Sequence, residues 1–133
     1  LGVDINEELL KVAQLQHGGS ISIQCYDILS DSLDVCIAKT LAPYDLVVES
    51  GIFNYKLDHE KQNQYIRDML QRMFDIASLG VAADFMTTHV DWEADGAFHM
   101  DPAVLLDIAY SITPRVIIRH DYMPYEYCVY LIR

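Results

Sequence analysis

Arg115-Val116-Ile117-Ile118-Arg119-His120-Asp121-Tyr122-Met123-Pro124-Tyr125-Glu126-Tyr127-Cys128-Val129-Tyr130-Leu131-Ile132 holds two β-rich runs, 115–119 and 126–132. The connection 120–125 is too short for a helical crossover, so the two strands must pair antiparallel. Working back from this hairpin, Asp101-Pro102 reads as a helix cap followed by proline at the first helical position. Val104, Leu105, Ile108, Ala109 and Ile112 then share one helical face. Before that helix comes a strand, Val81-Ala82-Ala83-Asp84-Phe85-Met86-Thr87-Thr88, and a polar, aromatic loop from Trp92 to His99 that could form a lid. From Asp58 to Ser78 the pairs Tyr65/Ile66, Met69/Leu70 and Met73/Phe74 recur every fourth residue. That lays an apolar stripe along a long helix packed on the sheet, which Gly80 closes.

Further upstream, Tyr44-Asp45-Leu46-Val47-Val48-Glu49 is apolar on both alternating sets and stops at Ser50-Gly51, the form of a central strand buried on both faces. Residues 30–43 fit a loop or a short helix equally. Ile21-Ser22-Ile23-Gln24-Cys25-Tyr26 alternates as a strand and ends at Asp27. Asn6 caps a short helix, 7–17, with Glu7 and Glu8 in its first turn and Gly18-Gly19 at its end. Ahead of it, Leu1-Gly2-Val3-Asp4-Ile5 reads as the end of a buried strand with an acid at its tip. The order is strand, helix, strand, strand, long helix, strand, helix, strand, strand, in a single domain of 133 residues with no internal repeat.

Nine Lys and Arg against 20 Asp and Glu give a net charge of −11, which repels a phosphate backbone and speaks against nucleic acid as a partner. Apolar stretches are broken by charge or proline well before membrane-spanning length, and no basic-then-apolar signal opens the chain, so the expectation is a soluble protein. Cys25, Cys36 and Cys128 are an odd set without Cys-x-x-Cys spacing and read as buried free thiols, which points to a reducing cytoplasm.

A carboxylate at a strand's C-terminal tip lies in the crevice where open α/β sheets bind ligands, and it can accept two hydrogen bonds from a ribose diol. Asp4 and Asp27 both hold such positions, and Ser50-Gly51 follows the next strand end. With the terminal hairpin, this ordered set resembles the class I S-adenosylmethionine-dependent methyltransferases. Gly2-Val3-Asp4-Ile5 is similar to that family's second strand, Cys25-Tyr26-Asp27-Ile28 to its third, and Tyr44 through Asn54 to its fourth strand and following loop. The implied fold is α/β: a Rossmann-like three-layer sandwich whose mostly parallel sheet ends in an antiparallel hairpin. The family's first strand and Gly-rich turn have no counterpart from Leu1 onward, so the resemblance implies an N-terminally truncated domain. Tyr26 also stands where the family often has glycine.

The resemblance implies S-adenosylmethionine as cofactor and a small-molecule methyl acceptor. Asp4, with Ile5 beside it, would hold the ribose; Asp27 and Ile28 would meet the adenine; Ser50 and Gly51 would lie against the cofactor at the fourth strand. Phe53, Asn54, His89, Trp92, His120 and Tyr122 are candidates for the acceptor side. The bland alternatives are helix and turn acids for Asp4 and Asp27, and a glycine turn with a buried Phe for 49–54. No residue is an evident catalytic base, so proximity would supply most of the rate. His89, Asp91, His99, His120 and Asp121 are metal-ligand types, but no second close ligand pair completes a site, so no metal is expected. A second functional reading is a non-catalytic binding protein on the same scaffold, with strand edges open to homo-oligomer formation. A dehydrogenase of related fold is a third, opposed by the terminal hairpin.

Overall fold

The computed structural model describes residues 1–29 and 44–133. The chain divides into two compact units, Leu1–Thr40 and Leu41–Arg133. In the first, strand β1 (Gly2–Asp4), helix α1 (Glu7–His17) and strand β2 (Ile23–Cys25) form a β-α-β unit. β1 and β2 pair in parallel, with Asp4 opposite Cys25. Asn6 caps α1 as its sequence requires: Oδ1 accepts from the backbone N–H groups of Glu8 at 3.0 Å and Leu9 at 3.2 Å.

The second unit runs β3 (Tyr44–Glu49), a 3-10 turn (Ile52–Asn54), α2 (His59–Ile76), β4 (Ala77–Met86), α3 (Pro102–Ile112), β5 (Val116–Arg119) and β6 (Glu126–Ile132). Its four strands lie in the order β3-β4-β6-β5. β3 is parallel to β4, while β6 runs antiparallel to both of its neighbours. The stripe read on α2 is the buried one: Ile66, Leu70 and Met73 are fully buried with Met69 and Phe74 beside them. They meet Val81, Ala83 and Phe85 of β4, Tyr127, Val129 and Leu131 of β6, and Leu105, Ile108 and Ala109 of α3 in one core. Arg67 of α2 donates to the Ser111 hydroxyl of α3 at 2.5 Å, tying the two helices together. Asp101 caps α3 through Oδ1, 2.8 Å from the Ala103 N–H, with Pro102 in the first turn. No helix among the described residues is long and apolar enough to cross a membrane.

Several expectations change. The Tyr44–Glu49 run is not central: β3 ends the four-stranded sheet, with Leu46 63% and Val48 69% exposed. Apolar residues on both faces of a strand do not dictate burial on both, because burial depends on which elements reach each face. The four-stranded sheet is mixed: β3, β4 and β5 run in one direction, and β6, inserted between β4 and β5, runs against both as the second strand of the terminal hairpin. Gly80 does not close α2. The helix stops at Ile76, β4 begins at Ala77 with no loop between, and Gly80 is a strand residue facing Ile132. Cys25 is exposed and Cys128 half-buried, because β2 has little packed over it and Cys128 points to the less covered face of β6. Cys36 and the undecided stretch 30–43 lie outside the described residues.

Candidate functional site

At the first unit's sheet edge, the C-terminal tips of β1 and β2 stand side by side, which places Asp4-Ile5 next to Asp27-Ile28. The Tyr26 N–H donates to the Asp4 carbonyl at 2.9 Å, continuing the pairing to the edge. Asp4 Oδ1 accepts from the Asn6 N–H at 2.8 Å, and Asp27 Oδ1 from the Leu29 N–H at 2.9 Å. Among the described residues each carboxylate is thereby oriented by one backbone donor. A carboxylate has roughly four lone-pair sites, so acceptor capacity remains for a diol or an amino group.

At the second unit's corresponding edge, the ends of β3 and β4 exchange carboxylates. Asp84 of β4 accepts from the Ser50 hydroxyl at 2.6 Å and the Gly51 N–H at 2.9 Å. Glu49 of β3 accepts in return from the Asp84 N–H at 3.0 Å and the Ile52 N–H at 3.2 Å. Gly51 sits at φ +86°, a left-handed conformation that glycine adopts at little cost, and the chain turns there into the 3-10 turn. Burial, with the neighbouring Asp84 carboxylate adding to it, pushes the Glu49 carboxyl up to about 8, against its two backbone hydrogen bonds. At neutral pH Glu49 therefore holds its proton.

This raised value has a sign for stability. The folded state binds the Glu49 proton more tightly than the unfolded chain, so the contribution is fully present below about pH 4.5 and is lost as pH rises through about 8. At 1.36 kcal/mol per unit, the whole shift is worth at most about 5 kcal/mol. We expect Glu49→Gln, which cannot ionise, to lose less stability than the parent between pH 5 and pH 8.5. Urea unfolding at the two pH values measures it, and identical pH dependence in parent and variant would show that Glu49 is not the titrating group.

The acceptor-side candidates separate. Phe53 is 1% exposed and stacks on Phe85, with ring centroids 4.7 Å apart, so it belongs to the core. Asn54 anchors the loop after β4: its carbonyl accepts from the Phe98 N–H at 2.9 Å, and Tyr55 bridges Ala97. The loop read as a lid is thus pinned near its end. Trp92 projects from it, and His89 is exposed. His120 and Tyr122 lie in the β5–β6 turn, where the His120 ring lies 5.7 Å from that of buried Tyr127. Among the described residues no three His, Cys, Asp or Glu side chains converge as a metal site. Sequence reasoning passed over Asp84 as a strand residue. Its signal was an acid inside an otherwise apolar strand, which asks for a partner.

No protein-family model matches this sequence, and no curated protein does. Solved structures do match. Magnesium protoporphyrin IX methyltransferase from Synechocystis PCC 6803, with bound SAH, superposes at a TM-score of 0.70 with 12% identity, over 99% of this chain and 63% of that one. The fold is that of the S-adenosylmethionine-dependent methyltransferases. An O-methyltransferase family protein from Burkholderia thailandensis matches at 0.65 and 10% identity, over 95% of this chain and 40% of that one. A protein described as possibly exported, from Bordetella parapertussis, matches at 0.66 and 13%, over 99% and 52%. The chain thus spans less than two thirds of the length of each of these three proteins.

Proposed function

We propose that this chain is part of an S-adenosylmethionine-dependent methyltransferase acting on a small-molecule acceptor, with its first unit supplying the adenosine side of the cofactor site. The observation that carries this reading is the pairing of β1 and β2, which sets Asp4 and Asp27 at adjacent strand tips, each oriented by one backbone N–H. The residues fit the group: two half-open or exposed carboxylates with spare lone pairs suit the ribose hydroxyls at Asp4-Ile5 and the adenine amino group at Asp27-Ile28. Ser50 and Gly51, at the end of β3 in the second unit, stay candidate cofactor contacts by the resemblance alone. Asn54, His89, Trp92, His120 and Tyr122 remain the acceptor-side candidates, and Phe53 leaves that set for the core. The bound cofactor supplies an electrophilic methyl group on a sulfonium. This chain's part is to bind and orient, and no metal, nucleic acid or membrane enters the reading. A Rossmann-like three-layer sandwich, cytoplasmic residence and a homo-oligomer paired through the edge of β3 belong to the same proposal.

Calorimetry with S-adenosylhomocysteine on the intact protein tests it. We expect Asp4→Ala to lower affinity at least about tenfold, which is about 1.4 kcal/mol. Asp4→Asn, which keeps an acceptor for the Asn6 N–H, separates loss of the turn from loss of the ligand contact. Unchanged affinity in both variants removes Asp4 from the site. No binding by the parent protein rejects the enzyme reading in favour of a non-catalytic scaffold, for which the exposed Leu46 and Val48 on the edge strand β3 speak.

A further inference from the structure

The strand registers sort the second unit's sheet into two faces. Val81, Ala83 and Phe85 of β4 and Tyr127, Val129 and Leu131 of β6 are buried on one of them. The alternate residues point the other way. On that second face the pairings lay out three rows across the strands. Leu46, Gly80 and Ile132 form the first, and Val48, Ala82, Tyr130 and Ile117 the second. Asp84, Cys128 and Arg119 form the third, with the Ser50 hydroxyl against Asp84. Val48 is 69% and Ile117 51% exposed, and Leu46 and Ile132 are exposed with them. The two middle strands differ in height. β4 presents Gly80, which has no side chain, and the short Ala82, while β6 beside it presents Ile132 and Tyr130. A hollow thus runs along β4 and a ridge along β6, one strand spacing of about 4.8 Å apart.

We propose that this face packs on the same face of a second copy of the chain, about a two-fold axis that runs along the strands between β4 and β6. Such an axis keeps strand direction and row but exchanges the columns, so that β4 lies over β6 of the second copy and β3 over its β5. The ridge of Tyr130 and Ile132 then enters the hollow of Ala82 and Gly80 on the second copy, in both directions at once. Val48 meets Ile117. Arg119, oriented by Asp121 at 3.0 Å, comes over Ser50 beside Asp84, so the charged row meets opposite sign. A ridge and a hollow side by side and of equal length are complementary to themselves, and this is what singles out a second copy as the occupant. Stacked sheets pack about 10 Å apart with strands crossing at about −30°, and the ridge and hollow lie at the centre of the crossing, where rotation displaces them least. Three rows on four strands span roughly 20 Å by 20 Å, about half of the ~800 Å2 that each partner gives a standard interface, so the dimer is weak and dissociates on dilution. The contact uses the sheet face and not the β3 edge, and it does not rest on the methyltransferase reading.

Sedimentation equilibrium of the intact protein over about a hundredfold dilution series tests the proposal, with the parent expected to pass from dimer to monomer. Ala82→Leu fills the hollow and should raise the dissociation constant at least about tenfold. Ala82 lies on an inner strand, so this variant leaves a dimer paired through the β3 edge intact and tells the two contacts apart. Val48→Lys, a change at a side chain already exposed, should weaken the dimer as much and keeps the test open if Ala82→Leu does not fold. The double variant Val48→Cys/Ile117→Cys reads the geometry. Within one chain the two positions are three strand spacings apart, about 14 Å, too far for a disulfide, so oxidation should yield a covalent dimer that neither single variant gives. A parent that is monomeric throughout, a dimer that both Ala82→Leu and Val48→Lys leave unchanged, or no covalent dimer from the double variant overturns the inference.

Discussion

Phe85→Ala is expected to destabilise the second unit by about 4 kcal/mol, the middle of the range for removing a buried aromatic side chain. Phe85 is 1% exposed and is the middle ring of a row. Its plane lies 3° from that of Phe53, with centroids 4.7 Å apart, and its centroid lies 5.8 Å from that of Tyr127. Truncation loses the transfer energy of the ring, opens a cavity between two further aromatics, and removes both ring contacts at once. Neither neighbour can collapse into the gap. Phe53 is fixed by the 3-10 turn, and the Tyr127 hydroxyl is held by the Met100 carbonyl at 3.1 Å. For a unit of this size 4 kcal/mol corresponds to a fall in Tm of roughly 20 °C. Thermal melting followed by Trp92 fluorescence measures it, and a loss below about 1 kcal/mol would show that the row can repack.

Gly80→Val is expected to cost about 3 kcal/mol, the upper part of the range for overpacking. Gly80 faces Leu46 on one side of β4 and Ile132 on the other, and a Cβ placed there would overlap the Leu131 backbone carbonyl oxygen. That atom is main chain in the middle of an antiparallel ladder and cannot rotate away as a side chain would. The strand must shift, and the adjoining β4–β6 pairs shift with it. Gly19→Ala is the control, because a Cβ at Gly19 meets nothing within 4 Å. Urea midpoints for the two variants should differ by nearly the full effect. Equal midpoints would mean that the β4–β6 ladder accommodates a side chain at Gly80.

These two positions mark where sequence reading succeeds and where it stops. The hairpin of β5 and β6 was legible because a short connection leaves only one way to pair. The caps Asn6 and Asp101 were legible because capping is local chemistry, satisfied within three residues of the side chain. Gly80 was misread because the same residue type ends a helix or admits a close backbone, and the choice depends on Leu131, far along the chain. β3 was placed at the centre because Leu46, Val47 and Val48 look alike in sequence, whereas strand order decides which of them is covered. The candidate site shows the same division. Asp4 and Asp27 could be assigned to strand tips from local pattern. The exchange between Glu49 and Asp84 arises from contacts between segments distant in sequence, and neither residue carries a periodic signal of its own.

The absence of any loop between α2 and β4 has a mechanical consequence. Ile76 is the last helical residue and Ala77 the first of the strand, while the Ala77 N–H donates back to the Phe74 carbonyl. With no slack at the joint, the helix cannot slide along the sheet or rotate about its axis without dragging the strand. The helix and the strand therefore form a single lever, with one arm buried among the methionines and the other ending near the Asp84 carboxylate that holds Ser50 and Gly51. A force that displaces the helix is delivered, undamped, to the rim of the sheet.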